Sequence, residues 1–275
     1  MARVPLIVAL ALSGCCMGGT APAVVPPEPV TPVVVAPVAP TSGAAVVVPT
    51  TLAEGAIVLA NWHELDRYYL AVVVGVVGDQ VSVLYADGGS DLLAATDTMP
   101  DRLAVGLAAE AYDGEDFVPV TITRRVGHAL TVRHPDGSET WTSVALVRIS
   151  AADLAAAASP TPPALPVPLG DVGSVVLARS ASDGYWWEAV VSDVRADARL
   201  VIYCDGSGEE LPMSALRPDG ITVGARVETR EHSVAPAWTT MTPATVIRRV
   251  EHAVQVQPDG GGPRWVGLTD VRVAP

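Results

Sequence analysis

Four stretches of the chain share one layout, and that repetition limits the possible folds more than any single residue does. Each starts with a Gly ahead of a short apolar run and reaches an Asp-Gly pair 30 to 35 residues later: Gly55 to Asp87-Gly88, Gly106 to Asp136-Gly137, Gly173 to Asp205-Gly206, and Gly224 to Asp259-Gly260. Between these landmarks lie a long apolar run and then an alternating one, as in Leu70 to Val77 followed by Val81-Ser82-Val83-Leu84-Tyr85. Short β-branched runs bounded by Gly and Asp read as strands, and Asp-Gly favours a hairpin turn because both residues tolerate positive φ. Each repeat is therefore expected to be a small antiparallel meander, and the chain all-β.

The repeats alternate in kind. Tyr68-Tyr69-Leu70-Ala71-Val72-Val73 in the first matches Trp186-Trp187-Glu188-Ala189-Val190-Val191 in the third. Arg124-Arg125-Val126-Gly127-His128-Ala129-Leu130 in the second matches Arg248-Arg249-Val250-Glu251-His252-Ala253-Val254 in the fourth. An A-B-A-B order means that a two-repeat unit was duplicated. One meander buries little surface by itself, so the pairs at 52–150 and 171–275 are expected to be the structural modules. The repeat boundaries fall at 52–102, 103–150, 171–220 and 221–275. Between the modules lies a Pro-rich linker, 151–170, in which Ala151 to Ala158 has the composition for a helical turn or two.

Ahead of the repeats, Arg3 precedes an apolar run from Val4 to Leu12 that is too short to span a bilayer and has the layout of a secretion signal. It ends in Leu12-Ser13-Gly14-Cys15, which resembles the bacterial lipobox. The resemblance implies a signal peptide over 1–14 and a diacylglycerol on Cys15; an ordinary cleaved signal with an incidental Cys is the alternative. Cys16 would then be the second mature residue, and it is not the Asp that tends to retain such proteins at the inner membrane of diderm bacteria. The expected location is the cell envelope, anchored by lipid to a bacterial membrane, the outer one in a diderm cell. Residues 15–51 form a Pro/Val/Ala-rich stalk, because repeated Pro blocks helix and ladder hydrogen bonds and favours extended backbone. Only Cys204 remains in the repeats, so no disulfide framework and no CxxC metal pair is expected there. The formal charge of −13 argues against a nucleic-acid partner and fits a cationic or neutral ligand better.

Gly173-Ser174-Val175-Val176-Leu177-Ala178, Asp183-Gly184-Tyr185-Trp186-Trp187-Glu188-Ala189-Val190-Val191 and Val201-Ile202-Tyr203-Cys204-Asp205-Gly206 together resemble a Tudor or agenet-type SH3-like barrel. Bacterial SH3-like and KOW-type barrels share this layout. The resemblance covers repeats one and three well and repeats two and four loosely. It implies four small barrels in two tandem pairs. It also implies an aromatic cage for a cationic group, with one ring from the first loop, one opening the second strand and one closing the third. Carried onto repeat one, these are Trp62, Tyr69 and Tyr85, with Asp87 adding charge. The other reading of Tyr69 and Tyr85 is half-buried barrel residues covering the core. Repeat three keeps Trp187 and Tyr203 as a secondary pair but has Ser180 where the loop ring should stand. Repeat two offers Phe117 and His134, and repeat four has Thr242 and Gln257.

Catalytic chemistry is sparse. His63, His128, His134, His232 and His252 lack HxxxH and HExxH spacing, and His128 and His252 share one repeat position, which favours strand-turn roles over metal. Asp113, Glu115 and Asp116 lack the regular spacing of a calcium loop and read as a solvated turn. There is no Gly-x-Ser-x-Gly elbow and no P-loop. Arg124-Arg125 and Arg248-Arg249 read as strand-end solvating residues, with carboxylate partners as the alternative. The expectation is thus a non-catalytic module, without metal or cofactor, that binds a protein or peptide. A structural spacer of an envelope complex and a cell-wall glycan binder are the alternatives.

Overall fold

The computed structural model describes residues 52–62, 65–156, 167–230 and 240–275. The signal segment, Cys15, the stalk, residues 157–166 of the Pro-rich linker, His63 and His232 lie outside the described residues. Among the described residues no helix is long and apolar enough to cross a membrane. The described residues are all-β apart from α1 (Ala151–Ala156) and single 3-10 turns.

Repeat one contains β1 (Ile57–Asn61), β2 (Arg67–Val77), β3 (Gln80–Tyr85), β4 (Ser90–Ala94) and β5 (Thr98–Pro100). Repeat two contains β6 (Ala108–Tyr112), β7 (Phe117–Val126), β8 (Ala129–Arg133), β9 (Glu139–Ser143) and β10 (Val147–Ser150). The second module runs through the same series. Its third repeat is β11 (Val175–Arg179), β12 (Trp186–Val194), β13 (Arg199–Tyr203), β14 (Gly208–Leu211) and β15 (Leu216–Pro218). Its fourth is β16 (Arg226–Arg230), β17 (Met241–Val250), β18 (Ala253–Pro258), β19 (Arg264–Gly267) and β20 (Val271–Val273). In each repeat the first strand pairs antiparallel with both the second and the fifth, so the meander curls into a five-stranded barrel. Every second strand has a register shift near its middle: Val73/Gly75, Ile122/Arg124, Val191/Asp193 and Val246/Arg248. An extra residue there bends the strand and adds twist, which lets one long strand serve both walls of a small barrel.

Barrels pair within each module through the last strand. Ile149 and Ser150 of β10 pair with Tyr68 and Arg67 of β2, while Val273 and Arg272 of β20 pair with Trp186 and Trp187 of β12. Each module is thereby one ten-stranded sheet. An apolar core runs across the first pair, from Leu59, Leu70 and Ala86 of repeat one to Ile122, Leu130 and Val147 of repeat two. The equivalent core of the second module uses Leu177, Cys204, Val246, Val254 and Val271.

The modules also clasp each other through their Arg-Arg hairpins. Val126 and Ala129, at the β7–β8 tip, pack on Val175 and Val190 of repeat three; Val250 and Ala253, at the β17–β18 tip, pack on Val72 and Leu84 of repeat one. Arg124 donates to the Val172 carbonyl at 3.3 Å and Arg248 to the Glu54 carbonyl at 2.9 Å. Each guanidinium lies against a glycine, Gly173 or Gly55, at φ of +93° or +83°, where a Cβ would collide with it. The positive φ is what requires glycine at these two positions, and the missing side chain leaves room for the guanidinium. These arginines therefore do not simply solvate strand ends: Arg124 and Arg248 cross to the other module, and Arg125 and Arg249 have carboxylate partners.

Candidate functional site

The strand register makes repeats one and three directly comparable. Trp62, Tyr69, Leu70, Tyr85, Ala86 and Asp87 correspond to Ser180, Trp187, Glu188, Tyr203, Cys204 and Asp205.

In repeat one the three expected rings converge. Trp62 stacks on Tyr85 with centroids 5.3 Å apart and planes at 21°, and it meets Tyr69 edge-on at 5.2 Å. Tyr69 and Tyr85 are 6.4 Å apart, and all three belong to the apolar core of the barrel. A cation held between ring faces needs each centroid within about 6 Å of itself and thus a gap between the rings; here Trp62 fills that gap. Tyr85 is only 3% exposed, and among the described residues its hydroxyl has no hydrogen-bond partner. Burial first, then the nearby Asp91 and Asp87, pushes its ionisation well above the ordinary range. Phe117, expected as repeat two's ring, extends the cluster to 6.5 Å from Tyr69 and carries the Arg148 guanidinium 3.9 Å from its centroid.

Repeat three has no such lid. Ser180 bonds to the Ser182 hydroxyl at 2.8 Å, and a cleft of about 420 Å³ opens beside it. Its lining includes Trp187, Tyr203, Asp183, Asp205, Glu188 and Cys204, with Asp87 of repeat one and Arg230 and Asp270 of repeat four. Trp187 Nε1 donates to Asp183 at 3.2 Å and the Tyr203 hydroxyl to Glu209 at 2.7 Å. Burial and that carboxylate together hold Tyr203 protonated well above its usual range. Asp87 and Asp205 accept backbone N–H groups of their own turns at 2.8 Å, and among the described residues neither pairs with an arginine. The cleft thus combines one tryptophan, one tyrosine and several carboxylates, with Arg230 held 3.5 Å from Asp270.

Behind the cleft lies a buried polar cluster. Glu188 is 2% exposed; its Oε2 accepts Arg249 at 2.6 Å and its Oε1 faces His128 Nδ1 at 3.3 Å. His128 Nε2 lies 3.3 Å from the Ile202 carbonyl, so both ring nitrogens face acceptors. Burial alone disfavours an imidazolium, but Cys204 and Glu188 outweigh it and raise His128 well above its ordinary range. Burial raises the Cys204 thiol in turn. Arg249 also pairs with Asp219 at 2.6 Å, as Arg125 pairs with Asp101 at 2.7 Å.

His252, the counterpart of His128, docks on repeat one, where Leu70 and Ala86 offer no donor or acceptor side chain. Among the described residues neither buried ring nitrogen makes a well-formed hydrogen bond, and the Leu84 carbonyl is the acceptor that faces the ring. Burial, reinforced by the Arg125 charge, pushes it down to about 3. Both histidines sit in the hairpin turns, as the strand-turn reading has them, and both are buried at the contact between modules. Glu188 was missed, although a lone acid inside the apolar run from Trp186 to Val191 is a signal readable in the sequence. The acidic turn reads as expected: Asp113 Oδ1 accepts the N–H groups of Glu115 and Asp116 at 3.0 Å.

No family model and no curated protein sequence matches the chain. Similar solved structures include tandem agenet domains 3–4 of ADCP1, at 18% identity and a TM-score of 0.17, covering 43% of this chain and 81% of that one. Domains of AGDP1 from Arabidopsis thaliana match at 18% identity and a TM-score of 0.16, covering 43% of this chain and 83% of that one. The four MBT repeats of Drosophila melanogaster Sfmbt, solved with a methyl-lysine peptide, match at 11% identity and a TM-score of 0.18, covering 80% and 88%.

Proposed function

We propose that this protein is a non-catalytic binding module whose cleft in repeat three receives a cationic side chain from a protein or peptide. The observation that carries the reading is the absence of a ring at Ser180, which leaves Trp187 and Tyr203 lining an acidic cleft. A ring face and carboxylates attract the same guest, a lysine or arginine head group, and the net charge of −13 draws it from a distance. The lipobox at Leu12 to Cys15 supports a lipid anchor on Cys15 that holds the module in a bacterial cell envelope, on the outer membrane if the cell is diderm.

Titration with capped pentapeptides containing Lys or Arg, against Asp-containing controls, tests the binding. The basic peptides should bind, and Trp187→Ala should weaken them about tenfold, in line with about 1–2 kcal/mol for a desolvated cation–ring contact. Equal binding of acidic and basic peptides would refute the reading. For the anchor, palmitate labelling of the full chain should disappear in Cys15→Ser; an unlabelled wild-type chain would remove that part of the proposal.

The spacer reading is favoured by one observation, the mutual stacking of Trp62 and Tyr85, which spends repeat one's rings on the barrel itself. Both roles fit one molecule, with repeat one structural and repeat three open.

A further inference from the structure

We propose that His128, Glu188 and Cys204 form a binding site for one divalent metal ion of zinc's type, with a fourth position open to the cleft. A ring nitrogen of His128, a carboxylate oxygen and a thiol sulfur converge there, all three residues buried and their ligand atoms within 4.8 Å of one another. A tetrahedral zinc with bonds of about 2.0–2.3 Å needs ligands about 3.3–3.8 Å apart. Nδ1 and Oε1 already stand at 3.3 Å, and the remaining distances, at most 4.8 Å, must tighten by up to about 1.0–1.5 Å.

The surroundings of each ligand favour this use. His128 turns its other nitrogen to the Ile202 carbonyl at 3.3 Å, the arrangement that fixes a ligating imidazole with Nδ1 toward the ion. Glu188 gives its second oxygen to Arg249 at 2.6 Å, which orients the first toward the site. Cys204 and Glu188 line the cleft, which supplies the entry path and room for a water as fourth ligand. The thiol, which donates to the Glu188 carbonyl at 3.8 Å, is free to turn to an ion once it has lost its proton. At the equivalent contact, Leu70 and Ala86 leave His252 without either donor.

Binding balances in charge and atoms. The ion forms bonds to Nδ1, Oε1 and Sγ, while one proton leaves the imidazolium and one leaves the thiol, without any redox change. A dication replaces two protons, so the buried cluster keeps its net charge. The site does not depend on the peptide-binding reading.

The test uses the full chain carrying Cys15→Ser and Cys16→Ser, so that Cys204 is its only thiol. Titration with Co²⁺ should produce a thiolate-to-cobalt charge-transfer band that saturates at one equivalent and is displaced by Zn²⁺. His128→Ala should weaken Co²⁺ at least tenfold, and His252→Leu should leave it unchanged. Absence of the band in a chain that is folded by circular dichroism would overturn the proposal, with no variant at the site required. A one-equivalent band that survives His128→Ala with undiminished affinity would also overturn it.

Discussion

Repeats one and three put equivalent residues on equivalent strands, yet repeat one packs its rings together while repeat three keeps a cleft. Three positions account for the contrast. Trp62 fills the space between Tyr69 and Tyr85, whereas Ser180 leaves the space beside Trp187 and Tyr203 open. Leu70 and Ala86 give an apolar floor, whereas Glu188 and Cys204 give a polar one that Arg249 and His128 complete. A duplicated module therefore keeps its fold through shared Val, Ala and Leu positions and divides its roles at a few others. The same division reaches the hairpin tips. Arg249 finds Glu188 within its own module, whereas the first module has Leu70 at that position and Arg125 pairs with Glu251 of the opposite tip.

The largest expected effect comes from making repeat three resemble repeat one at its floor. Glu188→Leu strips Arg249 and His128 of their shared carboxylate inside the protein, and losing one partner of a buried pair costs about 3–5 kcal/mol. Urea unfolding should show it, and adding Arg249→Met should recover most of the loss, since an apolar pair of similar volume is often neutral. Recovery of nothing would mean that Arg249 is held chiefly by Asp219.

Acid should separate the two histidines. His252 has an ordinary value of 6.5 and a folded value of about 3, so the unfolded chain takes the proton first. Its contribution is complete above about pH 6.5 and is lost as pH falls from there toward 3, at roughly 1.4 kcal/mol per pH unit. His128 is shifted the other way, so its contribution is complete below about 6.5 and is lost as pH rises through its raised value. By pH 5 wild type should have lost about 2 kcal/mol that His252→Leu does not lose. Parallel pH profiles for the two proteins would show that His252 finds a partner in solution.

The two tyrosines give the smallest contrast. Tyr203→Phe removes the bond to Glu209 and should cost about 1 kcal/mol. Tyr85→Phe removes a buried hydroxyl without a partner and should be neutral or slightly stabilising. Thermal melts of both variants check this, and equal costs would contradict the difference in their surroundings.

Much of this fold can be read from the chain because strands, turns and repeats leave local marks. Gly-to-Asp-Gly spacing marks the meanders, and the match of Arg124–Leu130 with Arg248–Val254 marks the alternation. The clasp between modules leaves no such mark. Arg125 and Glu251 are far apart in the chain, and an exposed hairpin tip and a docked one have the same local sequence. Trp62, Tyr69 and Tyr85 are identifiable as a converging set from strand positions alone. Whether rings converge around a space or onto each other depends on distances of an ångström or two, which residue types do not specify. Ser180 was legible as a missing ring, but its consequence, an open cleft, depends on Asp87, Arg230 and Asp270 approaching from repeats one and four.

The most direct test of the central contrast exchanges the residues that differ at the loop. Ser180→Trp and Trp62→Ser, each in the full chain, should be titrated calorimetrically with the capped arginine-containing pentapeptide. Ser180→Trp should lower affinity at least tenfold while Trp62→Ser leaves wild-type binding in place. Loss of binding in Trp62→Ser with full binding in Ser180→Trp would place the site in repeat one and contradict the account.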